Sequence, residues 1–137
     1  MHVYSREIIL STSKKRELVN ITAKVEDIVR ESGVKNGIAV IYAPHATAAI
    51  IVNEDEEGLK KDILNCIEEL VPWDGKWLHN RIDTNASAHI LSSIISSCRL
   101  MPVVNGRLYR GTWQEIFLLE LDGPRSARRV LVEVIGE

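Results

Sequence analysis

Apolar residues change their spacing several times along the chain, and each change marks an element. Val3 to Leu10 reads as an opening strand. Ile21, Val25, Ile28 and Val29 then recur at i, i+4, i+7 and i+8, which is one face of a helix. Asn20 or Thr22 can cap its start, and Gly33 stops it. Ile38 to Ala43 is an apolar run rich in β-branched residues and closed by Pro44, and Thr47 to Val52 is a second short apolar run. A second helix starting near Asn53 or Asp55 carries the stripe Leu59, Ile63, Cys66, Ile67 and Leu70 and ends at Pro72. Its early acids, Asp55, Glu56 and Glu57, suit the positive end of a helix dipole.

Pro72 to Thr84 has no period and reads as a loop, and Asn85 to about Ser97 as a serine-rich third helix. Leu100 to Val104, the turn Asn105-Gly106 and Arg107 onward form a hairpin signal. Trp113 to Leu121 continues the strand pattern, Asp122-Gly123-Pro124 turns, and Arg129 to Ile135 is the last strand. Mixed elements followed by consecutive antiparallel strands predict an α+β fold with about three helices rather than a βαβ repeat. The last two strands are apolar on both faces, and such a sheet needs two covers. Helices can supply one, and a partner subunit is expected over part of the other.

A chain of 137 residues, 45% apolar and 26% charged, suits one domain spanning 1–137 with an ordinary core and surface. Its net charge of −2 and pI of about 6.1 argue against a nucleic-acid partner. The arginines between Arg125 and Arg129 read as a solvated turn. Cys66 and Cys98 sit among apolar neighbours and read as small buried hydrophobes. No secretory signal opens the chain and no apolar run is long enough for a membrane span, so a cytoplasmic protein with reduced thiols is expected.

Candidate chemistry gathers on histidines. His45 follows Pro44 between two apolar runs, and His79, Asp83, Asn85 and His89 form an H-x3-D-x-N-x3-H string. With Asn85 as cap, His89 stands one turn inside the third helix, whose N-terminus suits an anion such as phosphate. Three neutral imidazoles with an open position would also suit catalytic zinc, with Asp83 or Glu54 as supporting carboxylate or general base. The spacing is no standard zinc motif, and it is equally readable as three unrelated histidines at a strand end, on a loop and at a helix start. Glu120 and Glu133 interrupt apolar strands and are expected to pair with arginines such as Arg107 or Arg129. Thr47 is readable as a donor to a bound oxyanion or as a plain strand threonine. Gly111-Thr112-Trp113-Gln114 is readable as a strand bulge with Trp113 in the core, or as a close backbone approach with Gln114 facing a pocket.

Taken together, His45-Ala46-Thr47-Ala48-Ala49, Asn53-Glu54, His79 with Asp83, Asn85-Ala86-Ser87-Ala88-His89-Ile90, Gly111-Thr112-Trp113-Gln114 and Asp122-Gly123-Pro124-Arg125 occur in the order seen in one family. Over nearly its whole length the chain resembles the YjbQ-like family, often labelled secondary thiamine-phosphate synthase. The resemblance implies an α+β sandwich assembled as a homotrimer, with the histidines near a subunit boundary and a polar pocket for a metal or anion. Carried over, it implies His45, His79 and His89 as metal ligands for zinc or magnesium and Glu54, Asp83 and Asn85 as catalytic groups. Thr47, Gln114 and Arg125 would bind a small phosphorylated metabolite. The family label implies joining hydroxymethylpyrimidine diphosphate to thiazole phosphate with loss of pyrophosphate. No glycine-rich phosphate loop or acidic diphosphate motif accompanies it, so that activity is expected to be secondary. A metal-dependent hydrolase or lyase and a non-catalytic metabolite binder are the other readings.

Overall fold

Period-two alternation sorts the strands into two antiparallel sheets, and the computed structural model describes them over all residues, 1–137. The elements are β1 (His2–Leu10), β2 (Glu17–Asn20), α1 (Thr22–Ser32), β3 (Gly37–Tyr42), β4 (Ala48–Asn53), α2 (Glu57–Leu70), α3 (Ala86–Ile95), β5 (Cys98–Val104), β6 (Arg107–Leu108), β7 (Glu115–Glu120) and β8 (Arg128–Gly136), with a 3-10 turn at Leu78–Arg81. One sheet has the order β1-β8-β3-β5-β6 and the other β2-β7-β4. This is the expected α+β sandwich with three helices.

The main core fills the space between the sheets. Ala39, Ile41, Val130, Val132 and Val134 from the five-stranded sheet share one buried cluster with Ile50, Ile116 and Leu118 from the three-stranded one. Val25, Ile28 and Val29 of α1 belong to the same cluster. On the far side of the small sheet, Ala49, Leu119 and Leu121 pack with Ile67 of α2 and with Ala88 and Leu91 of α3. The five-stranded sheet and α1 therefore cover one face of β7, and α2 and α3 the other. The outer face of the five-stranded sheet is left open, with Val3, Ile9, Leu100 and Tyr42 exposed on it. No helix is long and apolar enough to cross a membrane.

Several local expectations change. The strand β2 has no sequence signal of its own and forms by pairing Leu18 and Val19 with Leu119 and Leu118 of β7. Because β4 runs on to Asn53, α2 starts later than expected, and the Glu56 carboxylate caps it by accepting from Gly58 N and Leu59 N at 2.7 and 2.8 Å. Cys66 is exposed rather than buried, since α2 sets only Ile67 fully into the core. Gly111 to Gln114 is a loop, not a strand: Gln114 Oε1 accepts from Gly111 N at 2.7 Å, which leaves Trp113 on the surface and out of the core.

Glu120 does not pair with Arg107 or Arg129. It is fully buried and holds Arg128, whose Nε donates at 2.9 Å. Thr12 Oγ1 donates to the same carboxylate at 2.7 Å and the backbone N–H of Asp122 at 3.0 Å. Arg128 Nη2 also donates to Thr47 O at 2.9 Å and Thr47 Oγ1 at 3.0 Å. Burial works to raise the Glu120 pKa, but Arg128, Thr12 and the Asp122 N–H together hold it below the usual carboxylate value. Glu133 instead accepts from Ser5 Oγ at 2.8 Å on the open face. Glu120→Ala strands the Arg128 charge indoors and is expected to cost about 3–5 kcal/mol in urea unfolding, whereas Glu133→Ala should cost under about 1 kcal/mol. Equal losses in the two variants would show that the buried pair carries no special weight.

Candidate functional site

The end of the sandwich that holds the Glu120–Arg128 pair also holds the three histidines, on two facing walls. The first wall is the turn between β3 and β4. There the His45 Nε2 accepts a hydrogen bond from the backbone N–H of Arg129 at 2.9 Å. A backbone N–H can only donate, so Nε2 carries no proton and neutral His45 keeps its hydrogen on Nδ1. Burial, and then the Arg128 and Arg129 charges, hold its pKa below the ordinary 6.5.

The second wall is the entry to α3. His79 and His89 pack edge to face with ring centroids 4.8 Å apart. His79 Nε2 lies 3.1 Å from Asn85 Oδ1, and Asn85 Nδ2 donates to Asp122 Oδ2 at 2.9 Å. An ionised carboxylate offers only acceptors, so Asp122 fixes which way the Asn85 amide faces. The amide oxygen must then receive a proton from His79 Nε2, which leaves Nδ1 as the basic nitrogen of the neutral ring. Arg125 Nη2 and Nε hold Asp122 from the other side, each at 2.9 Å. Asp122 thus acts at one remove on His79.

A cavity of about 390 Å³ lies between the walls, with His45 and Ala46 on one side and His89, Ser92, Ser93 and the Ser96–Ser97 pair on the other. Ser92 and Ser93 donate to Ala48 O and His89 O at 2.8 and 2.9 Å. Ser97 makes no side-chain hydrogen bond. The non-glycine residue Ser96 has a φ of 92°, which ends α3 and turns its carbonyl toward Ile50 N at 3.2 Å. The carbonyl of Ser97 likewise accepts from Ala43 N at 2.9 Å. The floor of the cavity is thereby tied to both sheets.

The other sequence candidates are dispersed. Thr47 is buried and accepts from Arg128, so it serves the ion-pair network. Asp83 is exposed, and its Oδ1 accepts from Thr84 N at 2.7 Å. Glu54 and Gln114 lie at the opposite end of the sandwich, because β4 pairs Ala48 with Glu120 at one end and Asn53 with Glu115 at the other. The length of β4, roughly 20 Å, separates them from the histidines within one chain. No three His, Cys, Asp or Glu side chains are grouped to hold a metal ion. At His45 the donor chemistry agrees, since the one lone pair of its neutral ring is taken by the Arg129 N–H. The residues of one chain therefore do not fit a three-histidine metal centre. Sequence reading missed Asp122 and the serines as site residues. Asp122 was visible as a turn former and within one family motif, but its link to Asn85 spans 37 positions.

The sequence profile of a family described as UPF0047 protein YjbQ-like matches residues 6–137. A UPF0047 protein of Methanothermobacter thermautotrophicus is 43% identical over 137 residues, 100% of this chain and 95% of its own length. The UPF0047 protein YugU of Bacillus subtilis is 39% identical, over 93% of this chain and 96% of its own. A crystal structure of a YbjQ-like protein of unknown function from Sulfolobus solfataricus superposes with a TM-score of 0.97 at 52% identity, covering 98% of each chain.

The His45 environment has a measurable pH signature. Protonation would cost the Arg129 bond and add a charge beside two arginines, so the folded chain refuses a proton that the unfolded chain accepts near 6.5. The stabilisation is therefore complete above that pH and is lost as pH falls from there toward the lowered folded value. Urea unfolding of the native protein and His45→Gln between about pH 5 and 8 should show a shallower slope for the variant. Identical slopes would mean that His45 titrates alike folded and unfolded.

Proposed function

The chain belongs to the YjbQ-like UPF0047 family, and from that premise we propose that it is an enzyme acting on a phosphorylated small molecule bound between His45 and His89. The observation that carries this reading is His89 on the wall of a hydroxyl-lined cavity, backed from behind by the Asp122–Asn85–His79 chain. A carboxylate that orients an amide, which in turn fixes the tautomer of an imidazole, is a way to present one defined basic nitrogen for proton transfer. Opposite it, the Nδ1–H of His45 is a neutral donor for a phosphoryl oxygen, and the Ser97 hydroxyl is free to add a second.

The named reaction to test is thiamine-phosphate synthesis. In it the bond between the hydroxymethyl carbon and the diphosphate oxygen breaks, and the diphosphate leaves with the electron pair. The thiazole nitrogen supplies the pair for the new C–N bond. The donors of the pocket would stabilise the departing oxygen. No step here runs through a protein-bound metal, since the ligand geometry of one chain does not provide its site.

The proposal includes assembly into a homotrimer. Supporting it are the open apolar face of the five-stranded sheet and the placement of Glu54 and Gln114, which can reach a histidine pocket only on a neighbouring subunit. Light scattering at micromolar concentration is expected to give three times the mass of one chain; a monomer would overturn this part.

Activity is checked with the two thiamine precursors and with a panel of phosphate esters, on the native protein, His79→Ala and His89→Gln. Loss of about 100-fold or more in either variant is expected for an acid–base pair. Absence of turnover on every phosphorylated substrate, or unchanged turnover in both variants, would defeat the enzymatic reading.

A further inference from the structure

The opposite end of the sandwich carries a second concave surface, with a different chemistry. The strands β3 and β5 reach the histidine end at Tyr42 and Cys98 and the other end at Gly37 and Val103. Beyond that second end lies a cavity of about 610 Å³ between α1 and the β6–β7 loop, walled by Glu26, Arg30, Arg107, Arg110 and Thr112. A hollow of about 210 Å³ adjoins it, shares Arg30 and Arg107, and adds Lys35 beside the Asn105–Gly106 turn.

Four cations thus face one lining acid. Two of them are matched locally. Arg110 reaches Glu26 at 3.2 Å, Glu115 at 3.0 Å and the Gln114 carbonyl at 2.7 Å. Arg30 pairs with Asp27 on its own helix and also suits the negative end of the α1 dipole. Arg107 and Lys35 have neither an ion pair nor a side-chain hydrogen bond. The dipole cannot account for Arg107, which comes from a strand. The main chain places Lys35 beside the turn, with Gly106 N donating to Lys35 O at 2.9 Å. The Thr112 hydroxyl also has no partner within the chain.

Two cations without a partner thus stand near a free hydroxyl, Arg107 where the two hollows meet and Lys35 in the smaller one. Arg presents a planar fork and Lys a point charge, and both are suited to phosphoryl oxygens. A group with two linked phosphoryls can span both hollows, meeting Lys35 in one and Arg107 and Thr112 in the other. We propose that this groove binds the diphosphate group of a small molecule, through Arg107, Lys35 and Thr112. The site is separate from the histidine pocket and does not depend on the reading given for that pocket.

Calorimetry of the full-length native protein with inorganic diphosphate, beside inorganic phosphate, tests the assignment. Saturable diphosphate binding is expected, tighter than phosphate and weakened by added salt. Arg107→Ala and Lys35→Ala should each weaken it roughly tenfold or more, as loss of a charge-assisted hydrogen bond does. Neither side chain contacts a charged partner, so both variants should keep the native melting curve. Lys76→Ala, which removes an unpaired cation elsewhere on the surface, should bind as the native protein does. Unchanged affinity in both groove variants, an equal loss in Lys76→Ala, equal affinity for phosphate, or no saturation would each overturn the proposal.

Discussion

A carboxylate at the end of an apolar strand has to be satisfied indoors or it unfolds its surroundings, and Glu120 is satisfied by partners from three other places in the chain. Thr12 follows β1, Asp122 begins the turn after β7, and Arg128 opens β8. Arg128 extends the set to Thr47, before β4. An unpaired charge at such a depth would cost several kcal/mol, so these segments are bound to one another at one end of the sandwich. The histidines inherit their positions from this knot. Arg129, next to Arg128, points its N–H at His45, and Asp122, two residues beyond Glu120, fixes Asn85 and through it His79. Neither wall of the cavity can shift without disturbing the same buried pair.

Much of the fold was legible because periodicity reports which face an element buries. The stripe Ile21, Val25, Ile28 and Val29 lies in the core of α1. The alternation in the last strand has the same meaning, and it held a further signal. Arg128 shares its parity with Val130, Val132 and Val134, whereas Arg129 has the opposite parity. Parity alone therefore selects Arg128 as the inward partner of Glu120. The four residues of β2 were not legible, because their pairing is decided by the free edge of β7 and not by local preference. Trp113 misled for the opposite reason: an aromatic residue beside a strand looks like core, but the Gly111–Gln114 turn carries it outward.

For the site, residue type was legible and distance was not. His45, His79 and His89 come together from segments that the sequence separates, while Glu54, close to His45 in number, is sent to the far end by the strand between them. A linear reading has no means of telling which end of a strand two flanking residues will occupy relative to a third segment. The outcome is a molecule with contrasting ends: imidazoles and hydroxyls beside a buried ion pair at one, and unpaired Arg107 and Lys35 on an open groove at the other. The slightly negative net charge averages over both and conceals each.

The Ser96 junction has a consequence for how this pocket can vary over time. Ser96 and Ser97, which line the pocket, are held through their carbonyls by Ile50 N and Ala43 N, so main-chain bonds to both sheets fix that side of its contour. Replacing the hydroxyls of Ser93 or Ser97 alters what the pocket recognises while leaving its walls where they are, whereas Ser92, donating to Ala48 O at 2.8 Å, ties α3 to β4. The position with φ of 92° is the exception, since most replacements there must keep an unfavourable backbone conformation. A lineage could therefore exchange ligands cheaply along α3, with Ser96 as the fixed point around which that drift turns.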